Sequence, residues 1–155
     1  MKKYQPWIGL IARLILGGTL IAAGYLKFDE LDKSKMAVRA YELLPVSLAN
    51  FLGTTLPFFE LGVGLLLVLG AATRITAGLS AILMIAFMIG ISQAWARGLS
   101  IDCGCFGGGG QVAPGEADYL TPLLRDTGLA LLALYLVKFP RSRFSLDKHE
   151  EKTIA

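Results

Sequence analysis

The sequence is short of charge, of histidine and of cysteine, and each shortage excludes something. Asp, Glu, Lys and Arg together make 17% of the 155 residues, where a soluble domain carries about a quarter. With 54% hydrophobic residues and a mean hydropathy of +0.58, the chain is too apolar for an ordinary soluble domain. The net charge of +3 is small and scattered, which excludes the concentrated basic surface of a nucleic-acid binder. The only histidine, His149, sits in the polar C-terminal stretch. No nucleophile, histidine and acid can then share a face in the apolar part, so triad-type hydrolysis is excluded. Glycine is plentiful, but GVGLLLVLG at 62–70 has the wrong spacing for a phosphate-binding loop and reads as buried helix.

What is present is four long apolar runs, roughly Pro6 to Leu26, Val46 to Leu69, Ile75 to Ala96 and Tyr119 to Phe139. Each is long enough to cross a hydrocarbon core of about 30 Å as a helix. Lys2 and Lys3 precede the first, but its apolar stretch is too long for a signal peptide and no small-residue cleavage site follows, so it is kept as a mature helix. Eight Lys and Arg fall on the side shared by the termini (Lys2, Lys3, Arg74, Lys138, Arg141, Arg143, Lys148, Lys152) and five on the other (Lys27, Lys33, Lys35, Arg39, Arg97). The excess places both termini in the cytoplasm of an inner-membrane protein, with the third connection facing outward.

The expected fold is all-α: an integral membrane four-helix bundle with a short outer-surface amphipathic helix between helices 1 and 2. That short helix is read from SKMAVRAYELLP, where Met36, Ala37, Ala40, Tyr41 and Leu44 share a face. Residues 1–140 form the transmembrane domain and 141–155 a polar cytoplasmic tail, loosely attached. The third connection, Arg97 to Asp118, contains four consecutive glycines from Gly107 to Gly110 and reads as a hinge or mobile lid.

Arg13, Glu60, Arg125 and Asp126 lie inside the spans. Ionisable groups in hydrocarbon cost a few kcal/mol or more, so they face the bundle interior and find partners. Arg13 with Glu60 is the expected pair in the inner half, read equally as a functional pair or as one that only fixes helix register. Arg125 and Asp126, adjacent in sequence, point about 100° apart and lie just below the third connection, where a charge can tune a thiol or carry its proton.

That connection reads SIDCGCFGGGG and holds the only two cysteines, Cys103 and Cys105. A disulfide between residues i and i+2 is hard to close without strain and therefore easy to reduce. It also closes too small a loop to stabilise much. Arg97 and Arg125 are candidate cations to lower a thiol pKa. Redox exchange is the favoured chemistry; a static bridge, idle thiols or a soft-metal site for copper or zinc compete with it. A metal would lack a complete internal ligand set, since His149 lies across the membrane.

RLILGGTLIAAGYLKF at 13–28, YELLP at 41–45, LPFFELGVGLLLVLG at 56–70, DCGCFG at 102–107 and LLRD at 123–126 occur in that order. The set resembles the DoxX-like membrane proteins and, within them, the methylamine utilisation MauE branch, over nearly the whole chain to about Pro140. The resemblance implies a four-helix membrane bundle acting in extracytoplasmic thiol chemistry, in maturation of a disulfide-rich periplasmic enzyme alongside a thioredoxin-like partner. It implies a redox role for Cys103 and Cys105 and a supporting role for Arg125 and Asp126. Arg97, Glu60 and Arg13 are further supporting candidates.

The chain is also similar in outline to quinone-coupled disulfide-forming proteins. Those use two cysteine pairs where this chain has one, so its pair serves both ends or a second protein supplies the other. Quinone is thus a cofactor candidate, with Trp95, Phe106 and Arg125 as neighbours. The competing function is a non-catalytic assembly subunit of a larger membrane complex.

Overall fold

The computed structural model describes residues 3–147. Lys2, His149 and the remainder of the tail from 148 lie outside the described residues. In chain order come α1 (Gln5–Asp29), α2 (Leu31–Ala40), α3 (Val46–Leu69), α4 (Thr73–Ala96), β1 (Ile101–Asp102), β2 (Gly110–Gln111) and α5 (Leu120–Lys138). Four of these helices, α1, α3, α4 and α5, are long and apolar enough to cross a membrane. The protein is therefore a multi-pass, all-α membrane protein with a short helix between its first two spans.

Helix association in lipid lacks a hydrophobic drive and depends on close packing of small residues. α1 and α3 show why these sequences fit. A Cβ on Gly17 would fall 2.9 Å from the Gly64 carbonyl oxygen, and one on Gly24 would fall 2.8 Å from that of Pro57. α4 and α5 bring small residues to the same core, with Ala77, Ala81, Ala130 and Ala133 buried beside Leu16, Leu20, Leu67 and Leu136. The large apolar side chains that remain exposed, such as Ile11, Phe51, Ile82 and Leu131, face outward from the bundle.

The register of α1 on α3 corrects the expected Arg13–Glu60 pair. It sets Arg13 against Val68, whose carbonyl accepts from Arg13 Nη2 at 3.0 Å. Glu60 lies eight residues, about 12 Å, back toward the N-terminus of α3. Side chains also lean toward their own helix N-terminus, so in this antiparallel pair Arg13 and Glu60 lean apart. Lys27 and Glu60 lean toward each other, and they pair.

Two further expectations change. α2 begins at Leu31 and ends at Ala40, and Ser34, Ala37 and the C-cap Tyr41 turn inward, while Met36 and Leu44 are exposed. α2 packs directly on α3, with Ser34 Oγ donating to the Gly53 carbonyl at 2.7 Å, so small residues replace bulky ones at the contact. The tail is also tied in as far as Asp147. Arg13 donates to Ser142 Oγ at 2.5 Å and to the Phe144 carbonyl at 3.2 Å. Asp147 accepts from the Ala72 and Thr73 amides at 2.6 and 2.8 Å, capping α4.

Candidate functional site

β1 and β2 pair antiparallel, Ile101 opposite Gln111 and Asp102 opposite Gly110, and carry Cys103 to Gly109 as the loop between them. The glycine run expected as a hinge is packed instead. Gly104 (φ +67°) and Gly109 (φ +129°) adopt backbone that favours glycine, and a Cβ on either would overlap the Cβ of Ala37 on α2. The Tyr41 hydroxyl donates to the Cys103 carbonyl at 2.9 Å, and the Gly104 amide donates to Asp102 Oδ1 at 3.2 Å. Burial and the anionic groups around it push the Tyr41 phenol pKa up, so it stays a donor.

Cys103 is half-buried and Cys105 buried, and both are free thiols. The Cys105 amide donates to Cys103 Sγ at 3.4 Å, and Cys105 Sγ lies 3.8 Å from the Cys103 carbonyl oxygen. The two thiols consequently differ. Donation from the Cys105 thiol, then from its amide, with the Arg125 charge nearby, outweighs burial and brings the Cys103 pKa down to about 7. As the donor of that pair, buried and beside the charges of Cys103 and Asp126, Cys105 is pushed well above the ordinary thiol value. Near neutral pH the pair offers one nucleophilic thiolate and one protonated thiol.

Below the loop, Cys105, Phe106, Arg125, Asp126, Glu60 and Phe87 line a cleft of about 20 Å³, room for one water. Arg125 and Asp126 do share a site, because the Arg125 side chain curls back. Its Nε and Nη2 both donate to Asp126 Oδ1, at 2.9 and 2.8 Å, and its guanidinium lies 4.6 Å from the Phe106 ring centroid. Asp126 Oδ2 is buried without a hydrogen-bond partner.

Lys27 completes the cluster. Its Nζ donates to Glu60 Oε1 at 2.7 Å and Oε2 at 3.0 Å and lies 5.0 Å from the Phe87 centroid, with Lys27 and Glu60 3% and 0% exposed. Counting Lys27 as a flanking charge missed it. The buried stripe Ala12, Leu16, Leu20, Ala23 and Gly24 continues at helical spacing onto Lys27, a signal that was readable.

The other candidates lie apart. Arg97 donates to the Tyr41 carbonyl at 3.1 Å and pairs with Glu42 at 3.3 Å, so it braces α2. Arg13 belongs to the opposite end of the bundle. Trp95 stacks on Tyr119 at 6.0 Å, whereas Phe106 and Arg125 are together. Among the described residues no three His, Cys, Asp or Glu cluster as metal ligands.

The family profile described as Methylamine utilisation protein MauE matches residues 5–139, from the start of α1 past the end of α5. The chain belongs to the MauE family. Its match covers both thiols and every charged group of the cleft. The chain is 36% identical over 135 residues to the methylamine utilization protein MauE of Methylorubrum extorquens, an alignment covering 85% of this chain and 69% of that protein. It is 31% identical over 102 residues to the MauE of Methylophilus methylotrophus, covering 65% of this chain and 54% of that one. The chain thus spans about half the length of the second relative. No solved structure gives a significant match.

Proposed function

We propose that this MauE-family protein is a membrane thiol–disulfide carrier whose Cys103–Cys105 pair exchanges with a thioredoxin-fold partner on the extracytoplasmic side, supporting maturation of exported proteins. The observation that carries this reading is the split character of the pair: a partly exposed thiol with a pKa of about 7 hydrogen-bonded to a buried one held protonated. The excess of Lys and Arg toward the termini, eight against four once the buried Lys27 is set aside, supports an outward loop and cytoplasmic termini.

Exchange runs in two balanced steps. The Cys103 thiolate attacks one sulfur of the partner disulfide; that S–S bond breaks, a Cys103–partner bond forms, and the second partner sulfur leaves as a thiolate. Cys105 then loses its proton and attacks Cys103 Sγ, and the first partner sulfur leaves. The partner gains two electrons and the pair becomes a disulfide; the reverse sequence oxidises the partner. In this reading the pair is reset either by a quinone or by a second thiol–disulfide protein, which takes up or supplies the two electrons.

The test is acid-quenched thiol alkylation on native membranes, with and without the electron acceptor, alongside a Cys103→Ser/Cys105→Ser variant. A pair that shifts between bridged and free, and partner turnover lost in the variant, support exchange. A pair fixed in one state and a fully working variant overturn it in favour of an assembly subunit, whose removal would dissociate a complex.

A further inference from the structure

Resolution requires Cys105 to shed a proton in a place closed to solvent, since only 5% of the residue is exposed. A general base within reach of that sulfur is needed. Two carboxylates line the cleft that Cys105 enters, Glu60 and Asp126. Both Glu60 oxygens are occupied by the Lys27 ammonium. Asp126 Oδ1 takes both Arg125 bonds, which leaves Asp126 Oδ2 buried and unpartnered. An orphaned buried acceptor costs about 1–3 kcal/mol, and native folds keep few of them without a reason.

We infer that Asp126 Oδ2 is the proton acceptor for Cys105 in the resolving step, reached directly or through one water in the cleft. This rests on the exchange reading above and specifies its second step. The Cys105 S–H bond breaks, the proton goes to Asp126 Oδ2, and the sulfur keeps the electron pair with which it attacks Cys103 Sγ. Net charge in the cleft is unchanged: a neutral thiol and a carboxylate become a thiolate and a neutral acid.

The cations of the cleft face both groups of that exchange. Lys27 on α1 acts electrostatically on both Cys105 and Asp126, and Arg125 on α5 faces both as well. The other titratable groups around the pair are Glu60 on α3, held by Lys27, Tyr41 just past the end of α2, donating to the Cys103 carbonyl, Cys103 in the loop and Asp102 on β1. The α4 residues on the cleft, Met84 and Phe87, carry no titrating group.

Dithiobis(nitrobenzoate), a soluble aromatic disulfide, separates the two steps on the purified full chain in lipid nanodiscs. Attack by Cys103 releases one coloured thionitrobenzoate, and resolution by Cys105 releases a second. Asp126→Asn should slow the second release roughly 100-fold relative to the first, with the pH dependence of that ratio flattened, and Asp126→Glu should restore part of the ratio. An unchanged second release, or both releases slowed alike, overturns the assignment. Absence of a second release from the unmodified protein would instead sink the exchange reading itself. Should Asp126→Asn fail to fold, the ratio of second to first release in Asp126→Glu across pH decides: a profile identical to the unmodified protein's overturns the proposal, and a shifted one supports it.

Discussion

Lys27 on α1 and Glu60 on α3 form a closed ion pair, Nζ 2.7 Å from Oε1 and 3.0 Å from Oε2, with both side chains withdrawn from the surface. It lies between the cysteine loop and the Gly17–Gly64 crossing, so it fixes how α1 slides on α3. Removing one partner leaves the other charge uncompensated, which costs about 3–5 kcal/mol for a buried pair. Lys27→Met and Glu60→Gln should each lower thermal stability in detergent by that order, and the double variant should recover much of the loss. Two single losses that simply add would contradict a direct pair.

The cysteines should alkylate unequally. A thiol reacts as its thiolate, so the rate rises with pH through the thiol's pKa and falls below it. Cys103 should reach half its maximal rate near pH 7, while Cys105 should stay slow well above that. Arg125→Gln removes a cation that favours the Cys103 thiolate and should move its midpoint upward. Mass-spectrometric alkylation rates across pH, read separately for each cysteine, check both statements.

The bundle was readable because hydrophobic run length answers directly to bilayer thickness; Val46–Leu69 was placed with the bounds the structure gives it. Juxtaposition was less readable. DCGCFG and LLRD were legible as chemistry, and the structure brings Cys105, Arg125 and Asp126 to one cleft. Which acid pairs with which base depends on helix register and on side-chain lean, and neither shows in a count of charges along one helix. So Arg13 was matched with Glu60 and Lys27 was passed over. The glycine run misled for a related reason: glycine signals freedom in a bare sequence and close approach in a packed one.

That difference is testable at Gly109. Its Cβ position is occupied by Ala37 and its φ is +129°, so Gly109→Ala combines backbone strain with overpacking and should cost about 1–3 kcal/mol. Gly98→Ala is the control, with φ +69° and open space around it. Both carry strain, and only the first should displace the loop. Cys105 alkylation should accelerate in Gly109→Ala and stay unchanged in Gly98→Ala; equal acceleration in both would mean the loop is not seated on α2.

At the far end of the bundle, Arg13 and Asp147 hold the same stretch of chain from two sides. Arg13 grips Ser142 and the Phe144 carbonyl, and Asp147 caps the first amides of α4. Asp147→Ala removes the carboxylate that accepts from the Ala72 and Thr73 amides in place of an N-cap side chain and should cost about 1 kcal/mol. Arg13→Met should cost more, because it strips a partner from the buried Ser142 hydroxyl and from two part-buried carbonyls. Both side chains depend on residues 142–147 being docked, so once either is lost the other should contribute less. Thermal unfolding of the two single variants and the double should then show a combined loss smaller than the sum. Strict additivity would mean that the two contacts hold the chain independently.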